Sequence, residues 1–191
     1  MSEPQSRSER FLPTGWSYNP SSWHQRLPII AMGVLGMCIA SYLAMYQLGI
    51  VSTAWDPVFG SRSTESVLGS PVSHLFPTAD AFLGALGYAG DWIFGAIGGT
   101  KRYRTRPWVV LIFGTFIIPF GVTSIALGLI MGAVLHTWCF LCLTNTTLAI
   151  IMIPYSWDEV WLSLNALRSM HRNGAGWWEA LSGRAAAKSD L

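Results

Sequence analysis

Two cysteines three positions apart, Cys139 and Cys142 in the stretch HTWCFLC, are the residues of this sequence best suited to chemistry. The spacing is that of a redox dithiol, because thiols at positions i and i+3 of a helix share a face and can close a disulfide within one turn. Unpaired N–H groups at the start of a helix also favour a thiolate. The alternative is that both are small buried residues, as free cysteines often are. The third cysteine, Cys38, has no neighbouring partner in sequence, and we assign it to packing.

The composition is that of a membrane protein. Of the 191 residues, 51% are hydrophobic and 12% are charged, whereas soluble domains carry about 25% charged residues. The formal net charge of +2 gives no broad basic surface. We therefore expect a protein that resides in the lipid bilayer and binds no nucleic acid. No cluster of cysteine and histidine has zinc spacing, so we predict no metal site.

Four segments are apolar enough to cross a bilayer, which takes about 20 helical residues. The second is the weakest, because it contains Asp80 and Asp91. Asp91 has two interpretations: it is a functional residue within the membrane, or its side chain tilts toward the basic residues that follow. We favour the second. We predict an all-α, polytopic membrane protein with a bundle of four transmembrane helices. The segments are residues 28–51, 79–99, 107–135 and 138–155.

Lysine and arginine residues indicate the orientation. They precede the first predicted span, fill the connection after the second and follow the fourth. The positive-inside rule therefore places both termini in the cytoplasm and the cysteine pair near the outer, oxidising face of the plasma membrane. The basic residues are Arg7, Arg10 and Arg26, then Lys101, Arg102, Arg104 and Arg106, and finally Arg168, Arg172, Arg184 and Lys188.

The predicted organisation has three parts: a cytoplasmic segment (1–27), the membrane domain (28–155) and a cytoplasmic C-terminal region (156–191). Within the membrane domain, the outer loop 52–78 is too apolar for a linker. We interpret it as a lid with a short helix over residues 63–69.

Local capping signals refine these boundaries. Ser63 suits the cap of the short lid helix, with Glu65 in its first turn. Ser156 and Glu159 have the spacing of a capping box. The fourth span is therefore predicted to end near Tyr155, and an amphipathic helix to follow on the cytoplasmic surface.

Small residues recur at helical spacing in two of the predicted spans. Either spacing makes a smooth stripe that lets helix backbones approach closely, and we interpret both stripes as packing surfaces. They consist of Gly36, Ala40 and Ala44 in the first span, and of Gly114, Gly121 and Gly128 in the third.

The order of these features resembles the vitamin K epoxide reductase family. A first span and a long outer loop are followed by SVLGSPVSHLF, by LGALGY at 83–88 and by WCFLC at the start of the last span. The resemblance covers roughly residues 28–155. It implies a four-helix membrane bundle that couples quinone reduction to disulfide formation.

The resemblance also implies site residues. The family's last-span dithiol corresponds to Cys139 and Cys142, of which Cys142 would attack the quinone and Cys139 would exchange with an outside thiol partner. Ser70 matches a serine of the lid helix that shapes the quinone pocket. Asp80 takes the place of an asparagine that binds the quinone carbonyl in animal members, and Thr146 takes the place of a tyrosine. For Asp80 a purely structural role stays open, because a carboxylate in the first turn of a helix suits the helix end regardless of function.

One departure from the family keeps a second hypothesis open. Typical members carry a cysteine pair in the outer loop that relays electrons to the dithiol, whereas here Trp55 and Thr64 or its neighbour stand at those positions. The first hypothesis is a quinone-linked thiol–disulfide oxidoreductase. The alternative is a non-catalytic subunit that keeps the family fold and packs against neighbouring subunits of a larger membrane complex.

Overall fold

The computed structural model describes residues 17–74 and 79–183. The start of the predicted cytoplasmic segment, residues 75–78 of the predicted lid and the last eight residues, with Arg184 and Lys188, lie outside these ranges. Within them the chain is helical and has no β-strand. Its elements are α1 (Trp23–Gln47), α2 (Ser61–Leu68), a 3-10 turn (Pro71–His74), α3 (Asp80–Ala96), α4 (Arg102–Thr105), α5 (Pro107–Ile130), a π-helical turn (Met131–Leu135), α6 (Phe140–Arg172) and α7 (Trp177–Leu181).

The protein is a multi-pass membrane protein. Among the described residues, three stretches of helix are long and apolar enough to cross a bilayer: Trp23–Gln47, Pro107–Leu135 and Phe140–Arg172. Helix α3, with 17 residues, is shorter than these. It packs along α1, while α5 packs along α6. The core between them contains Ile29, Ala40, Ala85, Tyr88, Phe113, Ile117 and Met152.

The small-residue stripes pack as predicted. A Cβ atom on Gly36 would lie 2.6 Å from the Tyr88 ring on α3. Along α5, a Cβ atom on Gly114 would lie 2.8 Å from Val160, and one on Gly121 would lie 2.7 Å from Ile153. The glycines therefore set how closely α1 approaches α3 and α5 approaches α6.

Gly36→Ala should destabilise the protein by about 1–3 kcal/mol, the usual cost of overpacking. The Tyr88 ring cannot turn away freely, because its hydroxyl donates to the backbone carbonyl of Asn145 at 2.6 Å. The matched control is Gly99→Ala, since a Cβ atom there meets nothing within 4 Å. Unfolding free energies in mixed micelles measure both, and equal stability of the two variants would contradict close α1–α3 packing.

Helix α6 continues through the predicted boundary at Tyr155, so the predicted separate amphipathic helix is wrong. Ser156 does not cap a new helix: its hydroxyl donates to the carbonyls of Met152 at 3.0 Å and Ile153 at 2.8 Å. These bonds form within a continuous helix. Glu159, the other half of the predicted capping box, binds Arg102 instead.

Two buried arginines close the end of the bundle at which α4 lies, called here the α4 end. Arg26 donates to the carbonyl of Gly95 in the last turn of α3 and to those of Ile97 and Gly98 just after it. Carbonyls at the end of a helix have no partner within the helix, and Arg26 supplies one. Arg102 also donates to Ile97, at 2.8 Å, and forms a two-pronged ion pair with Glu159, with both N–O distances 2.5 Å. These contacts join α1, α3, α4 and α6.

Two residue assignments from the sequence are wrong. Cys38 is exposed on the outside of α1 and does not pack in the core, because it lies on the face opposite to Gly36 and Ala40. Asp91 does not tilt toward the basic loop. It is 3% exposed, and its Oδ1 atom has no hydrogen-bond partner among the described residues. The buried Arg102 of the basic loop binds Glu159 and backbone carbonyls instead.

Candidate functional site

Cys139 and Cys142 form a disulfide at the start of α6. Their Cα atoms are 5.2 Å apart. Cys139 occupies the N-cap position with an extended backbone, and its sulfur accepts the N–H of Cys142 at 3.0 Å. The structure therefore links Cys139 and Cys142 by a disulfide at the start of a helix, which is where the sequence spacing predicted a dithiol.

A cavity of about 340 Å³ lies beside this disulfide, between α1, α3, α5 and α6. Cys142 lines it, together with Asp80 and Thr146, which the family resemblance had proposed. Most of the remaining wall is apolar, and further polar residues are Tyr88, Thr123, Ser124 and Asn145.

Ser70 does not line this cavity. It is buried just after α2, where its hydroxyl donates to the carbonyl of Val67 at 2.7 Å. This contact closes the end of α2, so Ser70 supports the segment beside the cavity instead of contacting its contents.

Asn145 is a cavity residue that the sequence reasoning missed. Its Oδ1 atom is buried and has no hydrogen-bond partner in the described part of the chain. Thr146, by contrast, donates its hydroxyl proton to the carbonyl of Ser124 at 3.2 Å. Helical spacing could have found Asn145, because it lies three residues after Cys142 and hence on the same face of α6.

The two sulfurs of the disulfide have different surroundings. Cys142 lines the cavity, whereas Cys139 is 0% exposed. Ala54, Val67 and Leu68 belong to the apolar cluster that encloses Cys139. Exchange between Cys139 and an external thiol therefore requires α2 and the preceding loop to move.

Asp56 holds this loop against the start of α6. Its carboxylate accepts the hydroxyl of Thr64 at 2.6 Å and the N–H of Phe140 at 2.8 Å. It also accepts the N–H groups of Val58 at 2.9 Å and Phe59 at 2.8 Å. Nothing in the local sequence pattern indicates the contact with Phe140, which joins residues 84 positions apart.

A second contact flanks Cys139 on its other side. The Ser63 hydroxyl donates to the carbonyl of Trp138 at 2.6 Å and accepts the N–H of Trp138 at 3.2 Å. The prediction that Ser63 caps the short helix is therefore wrong. Helix α2 begins two residues earlier, after Gly60, whose φ of 81° suits glycine.

The disulfide and the whole cavity lie inside one recognisable domain. The family model described as "Vitamin K epoxide reductase family" matches residues 27–157. The chain belongs to the vitamin K epoxide reductase family. No curated protein matches the chain.

The loop of this vitamin K epoxide reductase family member differs where typical members carry the cysteine pair. Trp55, at the first of those positions, is 62% exposed, and Thr64, near the second, is 0% exposed. The hydrogen bond from Thr64 to Asp56 joins the same two parts of the loop. The loop is thus tied together by polar contacts at the positions where a relay would operate.

The hydrogen bonds of Asp56 make its charge important for stability. Burial would raise its pKa, but the bonds from Thr64, Phe140, Phe59 and Val58 outweigh burial and lower the pKa from 3.8 to about 2. A lowered pKa in the folded state gives stability that is fully present above about pH 4 and is lost as the pH falls toward 2.

Wild type should accordingly exceed Asp56→Asn in unfolding free energy by about 2 kcal/mol above pH 5. The difference should shrink between pH 4 and pH 2, because the wild-type carboxylate then takes up a proton. Unfolding titrations of both proteins across this range provide the measurement. A difference that grows as the pH falls would show that the charge does not stabilise this loop.

Proposed function

We propose that this protein is a quinone-linked thiol–disulfide oxidoreductase of the membrane. The observation that carries the proposal is that Cys142 of the disulfide lines the same cavity as Asp80, Asn145 and Thr146. The direct test is quinone reduction by the purified protein in lipid, with a small dithiol as electron donor. Absence of turnover above the uncatalysed rate would overturn the proposal.

The cavity residues fit a quinone ring. A volume of about 340 Å³ lies within the range of small-molecule sites, about 300–1,000 Å³. The walls are mainly apolar, which suits the ring. The side-chain amide of Asn145 has its Oδ1 atom buried without a hydrogen-bond partner among the described residues, so this oxygen offers an acceptor for a hydroquinone hydroxyl. The NH₂ group of the same amide is a donor that suits a quinone oxygen.

A quinone bound there would accept two electrons and two protons from a dithiol. Cys142 is the thiol placed to react, because it lies in the cavity wall. Its place in the first turn of α6, at the positive end of the helix dipole, favours its thiolate. Cys139, behind it and beneath α2, closes the disulfide. The apolar walls of the cavity limit the access of water to the Cys142 sulfur.

The same proposal includes the arrangement in the membrane. Helix α3 would be the fourth span, and α2 with its loop would be a lid over the outer end of the bundle. The α4 end, with Lys101 and Arg106, would face the cytoplasm together with both termini, in the plasma (inner) membrane. A thiol partner would then act from the outer side. The basic residues at the α4 end support this orientation.

Asn145 should contribute more to quinone binding than Thr146, because the Thr146 hydroxyl is already bonded to Ser124. Asn145→Leu should weaken binding of a short-chain quinone about tenfold, the loss of one hydrogen bond. Thr146→Val should change it by less than about threefold. Quenching of tryptophan fluorescence gives both dissociation constants.

The matched control for this pair is Thr147→Val, because Thr147 is exposed and its hydroxyl donates to the carbonyl of Leu143 within α6. Stronger weakening by Thr146→Val than by Asn145→Leu would reassign the contact to Thr146.

A non-catalytic membrane subunit is the second candidate function. Its support is the complete burial of Cys139 and the absence of cysteine from the loop in the sequence. Titration of free thiols after addition of a quinone to the reduced protein separates the two functions. Only the oxidoreductase loses two thiols when the quinone is added.

A further inference from the structure

We propose that Asp56 determines which thiols can react with Cys139. In this proposal, the carboxylate holds α2 across Cys139, and thiol exchange from this side is restricted to a dithiol reductant that displaces α2. The inference rests on the proposed function, because it concerns the same disulfide, and it adds a specificity-determining residue outside the cavity.

The contacts of Asp56 join three parts of the chain. Its Oδ2 atom accepts from Thr64, in the middle of α2, and from Phe140, the first residue of α6. Its Oδ1 atom accepts from Val58 and Phe59, which orders the loop that leads into α2. Hydrogen bonds to a charged acceptor are stronger than those between neutral groups. One carboxylate therefore fixes the loop, α2 and the start of α6 together.

Both chain neighbours of Cys139 are held in this way. Phe140, after it, is bound by Asp56, and Trp138, before it, is bound by Ser63 of α2. Between these two contacts, Val67 and Leu68 of α2 pack in the cluster that encloses Cys139. The cover over the sulfur is thus fixed on either side of the residue it protects.

The two sulfurs consequently face different routes. For reduction from the α2 end, a thiolate of the reductant attacks the Cys139 sulfur, the Cys139–Cys142 bond breaks, and Cys142 leaves as a thiolate. The second thiol of the reductant then attacks the mixed disulfide, which releases Cys139 and leaves the reductant as a disulfide. Two electrons pass to the protein. The first attack requires access to Cys139, which the cover denies to a reductant that cannot move α2.

Reduction by a charged, membrane-impermeant phosphine tests the cover without any quinone. The protein carries Cys38→Ser, so that only Cys139 and Cys142 report, and it is held in lipid nanodiscs. Newly freed thiols are counted over time by a gel shift with a polymer-linked maleimide. Asp56→Asn and Thr64→Val should each speed reduction about tenfold or more. Thr64→Val keeps the side-chain volume and removes only the donor hydroxyl.

The control is Ser66→Ala, on the same helix, because Ser66 is exposed and its hydroxyl donates to the carbonyl of Arg62 within α2. It should react within about twofold of wild type. Hydrogen exchange outside residues 52–70 should be unchanged in Thr64→Val, which separates local opening from general destabilisation.

The proposal is overturned if wild type is reduced as fast as Asp56→Asn and Thr64→Val. It is also overturned if wild type is reduced as fast as protein opened by denaturing detergent, a comparison that needs no variant to fold. Because the assay contains no quinone, its outcome is independent of turnover. A protein whose cover works but which reduces no quinone would refute the proposed function alone.

Discussion

Cys142→Ser is expected to abolish quinone reduction while leaving the protein folded in the membrane. Cys142 is the only sulfur of the disulfide that lines the cavity, and no hydroxyl can replace a thiol in forming a disulfide. The substitution changes little volume, so the bundle should tolerate it. The measurement is quinone reduction by purified protein with a dithiol donor, together with a thermal unfolding curve. Activity in this variant equal to that of wild type would exclude the disulfide from the reaction.

Two companion variants sharpen this test. Cys38→Ala should retain full turnover, because Cys38 is exposed on the outside of α1. Cys139→Ser should retain part of it with a small dithiol able to reach Cys142 through the cavity. If wild type and Cys142→Ser are equally inactive, the catalytic interpretation fails, and the non-catalytic subunit becomes the better account.

Arg102→Met is expected to be the most destabilising substitution at the α4 end, by about 3–5 kcal/mol. The guanidinium and the Glu159 carboxylate are 0% and 1% exposed, so removing Arg102 leaves a buried charge without its partner. It also removes donors from carbonyls at the end of α3, including that of Phe94 at 2.6 Å. Unfolding free energy in mixed micelles is the quantity to measure.

The matched control is Arg106→Met, since Arg106 lies in the same connection and is exposed. It should change stability by less than about 0.5 kcal/mol. The double variant Arg102→Met with Glu159→Leu should be more stable than Arg102→Met alone, because it removes the uncompensated charge as well. A double variant less stable than the single one would contradict the proposed cost of an unpaired Glu159.

Features governed by neighbouring residues could be predicted from the sequence. The i, i+3 spacing and the helix end were sufficient to place Cys139 and Cys142 together in the first turn of a helix. Spacing also predicted the close approach of α1 and α3 at Gly36, because a row of small residues on one helix face lets a neighbouring helix pack closely.

Features governed by distant partners could not be predicted. Ser156 and Glu159 have a valid capping pattern, but the pattern does not show that Arg102, 57 positions away, will bind Glu159. The contact of Asp56 with Phe140 is of the same kind. Asn145 was missed for a different reason: the face of α6 that borders the cavity depends on how the helices pack, and the resemblance directed attention to Thr146.

The continuity of α6 has a consequence for the lipid around it. Cys142 and Glu159 are 17 residues apart on one helix, which corresponds to about 26 Å along its axis. The hydrocarbon layer of a bilayer is about 30 Å thick. Helix α6 can adapt to a thicker or thinner bilayer mainly by tilting. Hydrophobic mismatch would therefore change the depth of Cys142 below the lipid headgroups, and with it the level at which a lipid-soluble molecule must enter the cavity.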